Sequence, residues 1–468
     1  MEYVLEPSIE FSNGRAVQLQ ECIQGQVITP VDPDYDEARK AWNLSVDQHP
    51  AVIVYAESAV DIAEAVRFAR SEGLGVAVQS TGHGNVRPAD NCLLIITSRM
   101  RDIRVDVHSQ TAWVQAGAKW GMVLEKTHPL GLAPLLGSSP DVSVMGYTLG
   151  GGMGWLARKY GLATDSVRYF EVVTAEGEII RASHTENSDL FWGMRGGGGS
   201  LGIVTSMEIQ LYPVTTVYGG NLFYPVSEAK EVFGRYRDWI SSAPDELTSS
   251  IVIMNYPPIP ELPEFLRGRS FAIVRGCYCG PIEEGEALLG YWRDWQEPII
   301  DDFKTMPFSE VATISNDPVD PLPGLSSGTW LQELTDEVLD TLIRYGVPSE
   351  GPPAYLMTEV RHAGGAIARV DPSANAYSHR DAPHSLQVVG ITGTPEAYRY
   401  LQTYTQSLKR DLERYMMGVY MNWLEGEESR ECIQDGFSPE AYRRLRELKA
   451  QYDPDNRFSF SFNIQPAD

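Results

Sequence analysis

His83 stands between two glycines in Ser80-Thr81-Gly82-His83-Gly84-Asn85, directly after the short apolar run Leu74 to Val78, at the exit of a predicted strand. Glycine there lets backbone N–H groups approach a pyrophosphate closely, and the imidazole beside it reaches whatever the phosphate carries. Two further glycine clusters, Gly150-Gly151-Gly152-Met153-Gly154 and Gly196 to Gly202, follow in the same region. The second contains a formal G-x-G-x-x-G from Gly197 to Gly202, but a helix-like segment precedes it and a strand follows. That is the reverse of the order in which a Rossmann dinucleotide site is built. Together the loops point to a long cofactor threaded between backbone amides, as a dinucleotide would be. Glu359 and Arg361 are a second chemical pair, because strand alternation turns residues two apart to one face. On a pocket wall the carboxylate could accept a proton or bind an amine while the guanidinium fixes a carboxylate or oxyanion; on the outside the two make a surface ion pair.

These residues need a scaffold, and from Ala51 to about Pro213 strands and helices alternate. Ala51 to Ala56 reads as a strand. Ser58 with Asp61 three residues on forms a capping box, with Ile62, Ala65, Val66 and Ala69 at helical spacing behind it. Leu74 to Val78, Leu94 to Thr97, Ala112 to Ala116, Tyr169 to Thr174 and Ile203 to Leu211 complete an α+β unit. Beyond Pro213 proline clusters replace the glycine loops. Glu359 to Arg361 and Ser385 to Ile391 read as strands of a sheet that shapes a pocket, with a helix over Glu396 to Glu413 beside it. The chain ends in a helix bearing Tyr442, Leu445 and Leu448, the turn Asp453-Pro454-Asp455-Asn456, and a final strand of Phe458, Phe460 and Phe462 expected to dock on an earlier sheet.

Composition narrows the classes. The chain has 468 residues, 43% of them apolar, enough for more than one structural unit, and a formal charge of -25 that repels phosphodiester backbones and anionic headgroups. Nucleic acid and membrane partners are therefore not expected, nor is there a run of ~18 apolar residues to span a bilayer. The five cysteines are odd in number and scattered, unlike a secreted disulfide framework, and the expected location is cytoplasmic. Cys277-x-Cys279 lacks a second ligand pair and the histidines lack metal spacing, so no metal is expected.

Several motifs in order resemble a known family: Ser80 to Asn85; Gly137-Ser138-Ser139-Pro140; Gly146 to Trp155; Arg158-Lys159-Tyr160-Gly161-Leu162 with Asp165; Asp189-Leu190-Phe191-Trp192; and Arg195 to Gly199. They look like the FAD-binding domain of the vanillyl-alcohol-oxidase superfamily. The ending Tyr452 to Phe458 with Asn463-Ile464 is similar to its berberine-bridge-enzyme-like branch, and the resemblance covers roughly residues 30–211 and 415–466. It implies an α+β, two-lobed FAD-binding fold with an antiparallel-sheet substrate domain. The expected parts are an FAD-binding domain over 1–212, a substrate domain over 213–414, and a C-terminal segment, 415–468, completing the first.

The resemblance also implies residue roles. His83 is the expected point of covalent attachment to FAD. Ser80, Thr81, Gly82, Gly84, Asn85, Ser138, Ser139, Val142, Gly146, Tyr147, Gly150, Gly151, Gly152, Tyr160, Gly161, Gly202, Val204 and Asn463 are the expected cofactor contacts. Ser139 replaces the cysteine through which many members make a second link, and a serine oxygen is too weak a nucleophile near neutral pH to substitute, so one link is expected. Tyr147 replaces a family histidine. Val142 matches a position where a valine-sized residue leaves room for dioxygen, which favours an oxidase. Val419-Tyr420-Met421-Asn422 resembles the family's Tyr-x-Asn motif, making Tyr420 the first candidate for proton removal and Asn422 its polar neighbour. Ala376 to Asp381 resembles a His-Arg-Asp segment on the next strand, with Tyr377 and His379 toward substrate, Tyr377 and Glu359 being the other catalytic candidates. Arg361, His379 and Asn422 are the expected substrate contacts. The implied activity is an FAD-dependent oxidase, monomer or homodimer, passing hydride from a cyclic amine or a secondary-metabolite alcohol to flavin reoxidised by dioxygen to hydrogen peroxide. The alternatives are a carbohydrate oxidase and a non-redox ligand-binding flavoprotein.

Overall fold

Three sheets organise the chain in the computed structural model, which describes residues 13–84, 87–348 and 351–467; Asn85 lies outside the described residues. The first sheet holds β1 (Gln26–Ile28), β2 (Val52–Tyr55), β3 (Val76–Gln79) and β4 (Leu93–Ile96) in the order β1-β2-β4-β3. β4 runs parallel to both neighbours, which requires crossovers such as the helix Ala59–Ser71 between β2 and β3. That helix starts where its sequence says it should: Ser58 Oγ accepts the Asp61 N–H at 3.1 Å. The buried Asp61 carboxylate also accepts the N–H groups of Glu57 at 2.9 Å and of Gln24 and Gly25, both at 3.0 Å, so it ties the approach to the helix to the entry of β1.

The second sheet is antiparallel: β5 (Ile103–Asp106), β6 (Thr111–Gln115), β7 (Val167–Val173), β8 (Ile179–Ser183) and β9 (Ile203–Gln210), ordered β5-β6-β9-β7-β8. The third is larger and also antiparallel. It contains β10 (Thr216–Pro225), β11 (Leu247–Asn255), β12 (Ser270–Tyr278), β13 (Ile300–Asp301), β14 (Lys304–Pro307), β15 (Gly324–Leu331), β16 (Met357–His362), β17 (His384–Ile391) and β18 (Met416–Val419). Its path is β13-β10-β12-β11-β16-β17-β15-β18, with β14 also on β10. Alternation divides its two faces cleanly. Ile251, Ile253, Ala272, Val274, Val360, Leu386 and Val388 pack under helices Ala229–Ile240, Asp336–Gly346 and Pro395–Leu412, against Phe233, Leu342 and Leu408. Val252, Phe271, Ile273, Met254 and Met357 share the opposite face. Among the described residues no helix is long and apolar enough to cross a membrane.

The chain end returns to the start. After β18, Met421, Ile433, Phe437, Leu445, Leu448 and Ile464 pack into the same core as Val114, Phe170, Met207 and Ile209. Lys449, fully buried in the helix Pro439–Tyr452, donates to Asp453 at 2.6 Å, to the Ser200 carbonyl at 2.8 Å and to the Phe458 carbonyl at 3.2 Å. The strand expected over Phe458 to Phe462 does not form. The Asp453 carboxylate takes the N–H groups of Arg457 and Phe458, both at 2.8 Å, which removes donors a ladder would need. One sheet-like bond remains, from Val76 N–H to the Arg457 carbonyl at 3.0 Å. The segment Ala376 to Asp381 is likewise no strand but a loop, in which His379 takes a left-handed φ of 58°.

Candidate active site

A cavity of ≈ 1010 Å³ opens where the three sheets and the chain end meet, large enough for a cofactor together with a substrate. Its wall includes β3, the loop Ser80 to Gly84, Gly137 to Ser139, Gly150, Gly202 and Val204, the free face of the third sheet, Tyr420 to Glu425, and Phe458 to Phe462. His83 projects into this wall from the β3 exit. Its ring stacks on Trp42 with centroids 4.2 Å apart and planes at 14°, and Nδ1 lies 2.9 Å from Thr81 Oγ1. Burial, then the nearby Lys119 charge, pushes its pKa down to about 4, so the ring is neutral at pH 7. Nε2 is buried without a partner. Ser80 Oγ, Ser143 Oγ, Tyr147 Oη and Ser461 Oγ on the same wall are also buried and unpartnered. Buried polar atoms are normally satisfied, so this many on one cavity fit a polar, many-armed group such as a dinucleotide.

Tyr420 lies just past the end of β18. Its Oη accepts hydrogen bonds from the backbone N–H groups of Gly152 at 3.2 Å and Met153 at 3.1 Å, and from Asn422 Nδ2 at 3.3 Å. Burial raises its pKa, while the Met153 N–H, Asn422, the Arg361 charge and the Gly152 N–H all pull the other way. Burial outweighs them, so the net shift is upward and the phenol keeps its proton near neutral pH; the three donors lower the cost of negative charge on this oxygen when it gives that proton up. The glycine run makes this possible: a Cβ on Gly150 would sit 1.8 Å from Asn422 Oδ1, and Gly151, at φ +113°, leaves room for the Tyr377 ring. Tyr377 fills that room behind Tyr420, ring centroids 6.3 Å apart, rather than lining the cavity. Its Oη is unpartnered, and burial holds its pKa well above the ordinary range.

Arg361 and Arg275 line the cavity, and Glu359 lies behind them, fully buried. Glu359 accepts from Arg361 Nε at 2.8 Å and Ser250 Oγ at 2.7 Å and stands 3.6 Å from Arg275 Nη1. Burial pushes this carboxyl up, but the two guanidinium charges and the Ser250 hydroxyl hold it below the usual range, leaving it an ionised counter-ion with its oxygens already engaged. Glu425 differs: burial raises it to about 7 against a Ser326 N–H bond of 2.7 Å.

Of the expected contacts, Ser80, Thr81, Gly82, His83, Gly84, Ser138, Ser139, Val142, Gly146, Tyr147, Gly150, Gly202, Val204, Arg361, Tyr420 and Asn422 line the cavity. Gly151, Gly152, Tyr160, Gly161, Asn463, Glu359, Tyr377 and His379 stand outside its lining. Tyr160 packs on Tyr212 at 4.3 Å, and His379 Nε2 meets the Asp435 carbonyl at 2.8 Å, turned there by its left-handed backbone. Ser139 Oγ accepts the Asp141 N–H at 3.3 Å, and among the described lining residues there is no cysteine. Trp42, Arg275, Gln387 and Glu425 were not anticipated. Gln387 carried a signal, being two residues from Ser385 in a recognisable strand; Trp42 and Glu425 lie in irregular segments with none.

A family model described as an FAD binding domain matches residues 50–183, and one described as berberine and berberine-like matches residues 419–465. Over 459 residues the chain is 30% identical to an uncharacterised FAD-linked oxidoreductase of Bacillus subtilis, covering 95% of this chain and 97% of that one. It is 28% identical over 465 residues to the (R)-6-hydroxynicotine oxidase of Paenarthrobacter nicotinovorans, with 95% and 97% covered. The crystal structure of 6-hydroxy-D-nicotine oxidase from Arthrobacter nicotinovorans superposes with a TM-score of 0.83 at 26% identity, over 95% of this chain and 98% of that one.

Proposed function

The chain belongs to the FAD-linked oxidoreductases of the berberine-bridge-enzyme-like family, and from that premise we propose that it is an oxidase holding FAD through a single covalent bond to His83. The observation that carries this reading is the pair facing one cavity: a neutral, buried imidazole with an unpartnered Nε2, and a phenolic oxygen held by two backbone N–H groups. A bound flavin would take a hydride equivalent from an alcohol or amine carbon and return the electrons to dioxygen as hydrogen peroxide. Trp42 fixes the plane of the His83 ring, and Thr81 engages its Nδ1. Tyr420 Oη serves as acceptor for the proton of the substrate hydroxyl or amine only after giving up its own, and the donors Gly152, Met153 and Asn422 offset part of the burial cost of that phenolate. Val142 on the same wall leaves a small side chain where dioxygen would arrive. Ser139 in place of a thiol supports one link rather than two.

The test is to mix the purified protein anaerobically with panels of cyclic amines, alcohols and hydroxy acids, watch the yellow flavin colour bleach, then admit air and assay peroxide. Bleaching followed by stoichiometric peroxide is expected with at least one class. Bleaching that air does not reverse would make the protein a dehydrogenase, and a colourless protein would remove the flavin reading altogether.

A further inference from the structure

We propose that Arg275 and Arg361 form an anion site, so that the substrate is an organic acid, ionised at a carboxylate or acidic enol, with an apolar body. Strand register places the two side chains. Arg275 on β12 is opposite Ser250 on β11, and Ser250 is opposite Arg361 on β16, so all three stand in one row on the face that looks into the cavity. Glu359, two residues from Arg361, shares that face and is, among the described residues, the fully buried carboxylate that pairs with them.

Glu359 serves the two arginines unequally. Arg361 donates to it at 2.8 Å and lies 4.9 Å over the Trp423 ring, a satisfied position. Arg275 is 3% exposed, stands 3.6 Å from Glu359, beyond hydrogen-bonding range, and its Nε has no partner. Asp317, half-buried on the cavity wall, acts on Arg361 only through its charge, with no ion pair between them. The row thus presents two guanidinium groups against one buried, already engaged carboxylate. A buried guanidinium with a free donor edge is unfavourable until an anion meets it, and its fork suits the two oxygens of a carboxylate.

The same face defines the body of the ligand. Met254 and Met357 are opposite each other and four residues along from Ser250 and Arg361, about 13 Å at strand spacing, and Val389 continues the apolar patch. An occupant with its charge at the arginines therefore extends its apolar part over these side chains.

The proposal rests on the oxidase reading, and its test is binding. Isothermal titration of the purified holoprotein with 4-phenylbutyrate and with its uncharged amide is expected to show the acid binding at least about ten-fold tighter, from charge-assisted hydrogen bonds. Arg275→Met is expected to abolish that preference, and Arg275→Lys, which keeps the charge but not the fork, to retain part of it. Should Arg275→Met fail to fold, the lysine variant alone decides, through a reduced preference. Equal binding of acid and amide, or a preference untouched by either variant, would overturn the anion site. A preference for the acid in a protein that forms no peroxide with any substrate would overturn the oxidase reading and leave the anion site standing.

Discussion

Replacing Tyr420 by Phe removes one oxygen and leaves the Gly152 and Met153 N–H groups buried with nothing to donate to. Each unsatisfied buried donor costs about 1–3 kcal/mol, so the variant is expected to lose roughly 2–6 kcal/mol of stability. With an unfolding entropy of about 2.1 cal/mol/K per residue over 468 residues, the melting temperature falls by about 1 °C per kcal/mol, hence by about 2–6 °C. The chemical effect is separate and larger. Loss of the proton acceptor is expected to slow anaerobic reduction of the flavin by about 10²–10⁴-fold, the usual contribution of a positioned acid–base group. Stopped-flow bleaching at saturating substrate measures it, with calorimetric melting run beside it. A reduction rate equal to that of the unaltered protein, together with the expected loss of stability, would show that the phenol serves only to satisfy two amides. Asn422→Ala removes one of the three donors, and is expected to slow reduction less than Tyr420→Phe.

Gly150→Ala places a Cβ 1.8 Å from Asn422 Oδ1, so Asn422 must swing away; flavin reduction should slow as in Asn422→Ala, and an unchanged rate would show that the amide position is immaterial. Asp453→Asn breaks a fully buried ion pair with Lys449, at a cost of about 3–5 kcal/mol, and limited proteolysis should cut the chain end after Tyr452 faster while the core persists. Glu425 has a folded pKa near 7 against an ordinary 4.5, so the folded state holds its proton more tightly than the unfolded state. Its contribution is fully present below pH 4.5 and is lost as pH rises through about 7, so Glu425→Gln should flatten the fall in melting temperature across that window. A slope unchanged by the substitution would assign the decline to other groups.

What was legible in the sequence were features whose cause is local. Ser58 and Asp61 announced a helix start, and short β-branched runs announced β2, β4, β6, β7 and β9, because capping and alternation act over a few residues. His83 and Tyr420 were found through the motifs around them, and both reach the cavity. Arg275 was invisible: it is one arginine in an apolar strand, and its meaning comes from register with Ser250 and Arg361, 25 and 86 residues away. Glu359 and Arg361 were rightly placed on one face, yet only tertiary burial shows that the carboxylate is spent on two arginines. Phe458 to Phe462 alternate like a strand, but the carboxylate of Asp453 claims the backbone donors and the rings turn to the cavity wall. His379 followed its motif, and a left-handed φ, which no spacing reveals, turns its ring to the Asp435 carbonyl.

The most direct test of the account is peptide mapping by mass spectrometry after acid precipitation and proteolysis. The peptide carrying His83 is expected to retain the mass of FAD, with yellow colour in the pellet. That peptide found unmodified, with all flavin released to the supernatant or bound at another residue, would contradict it.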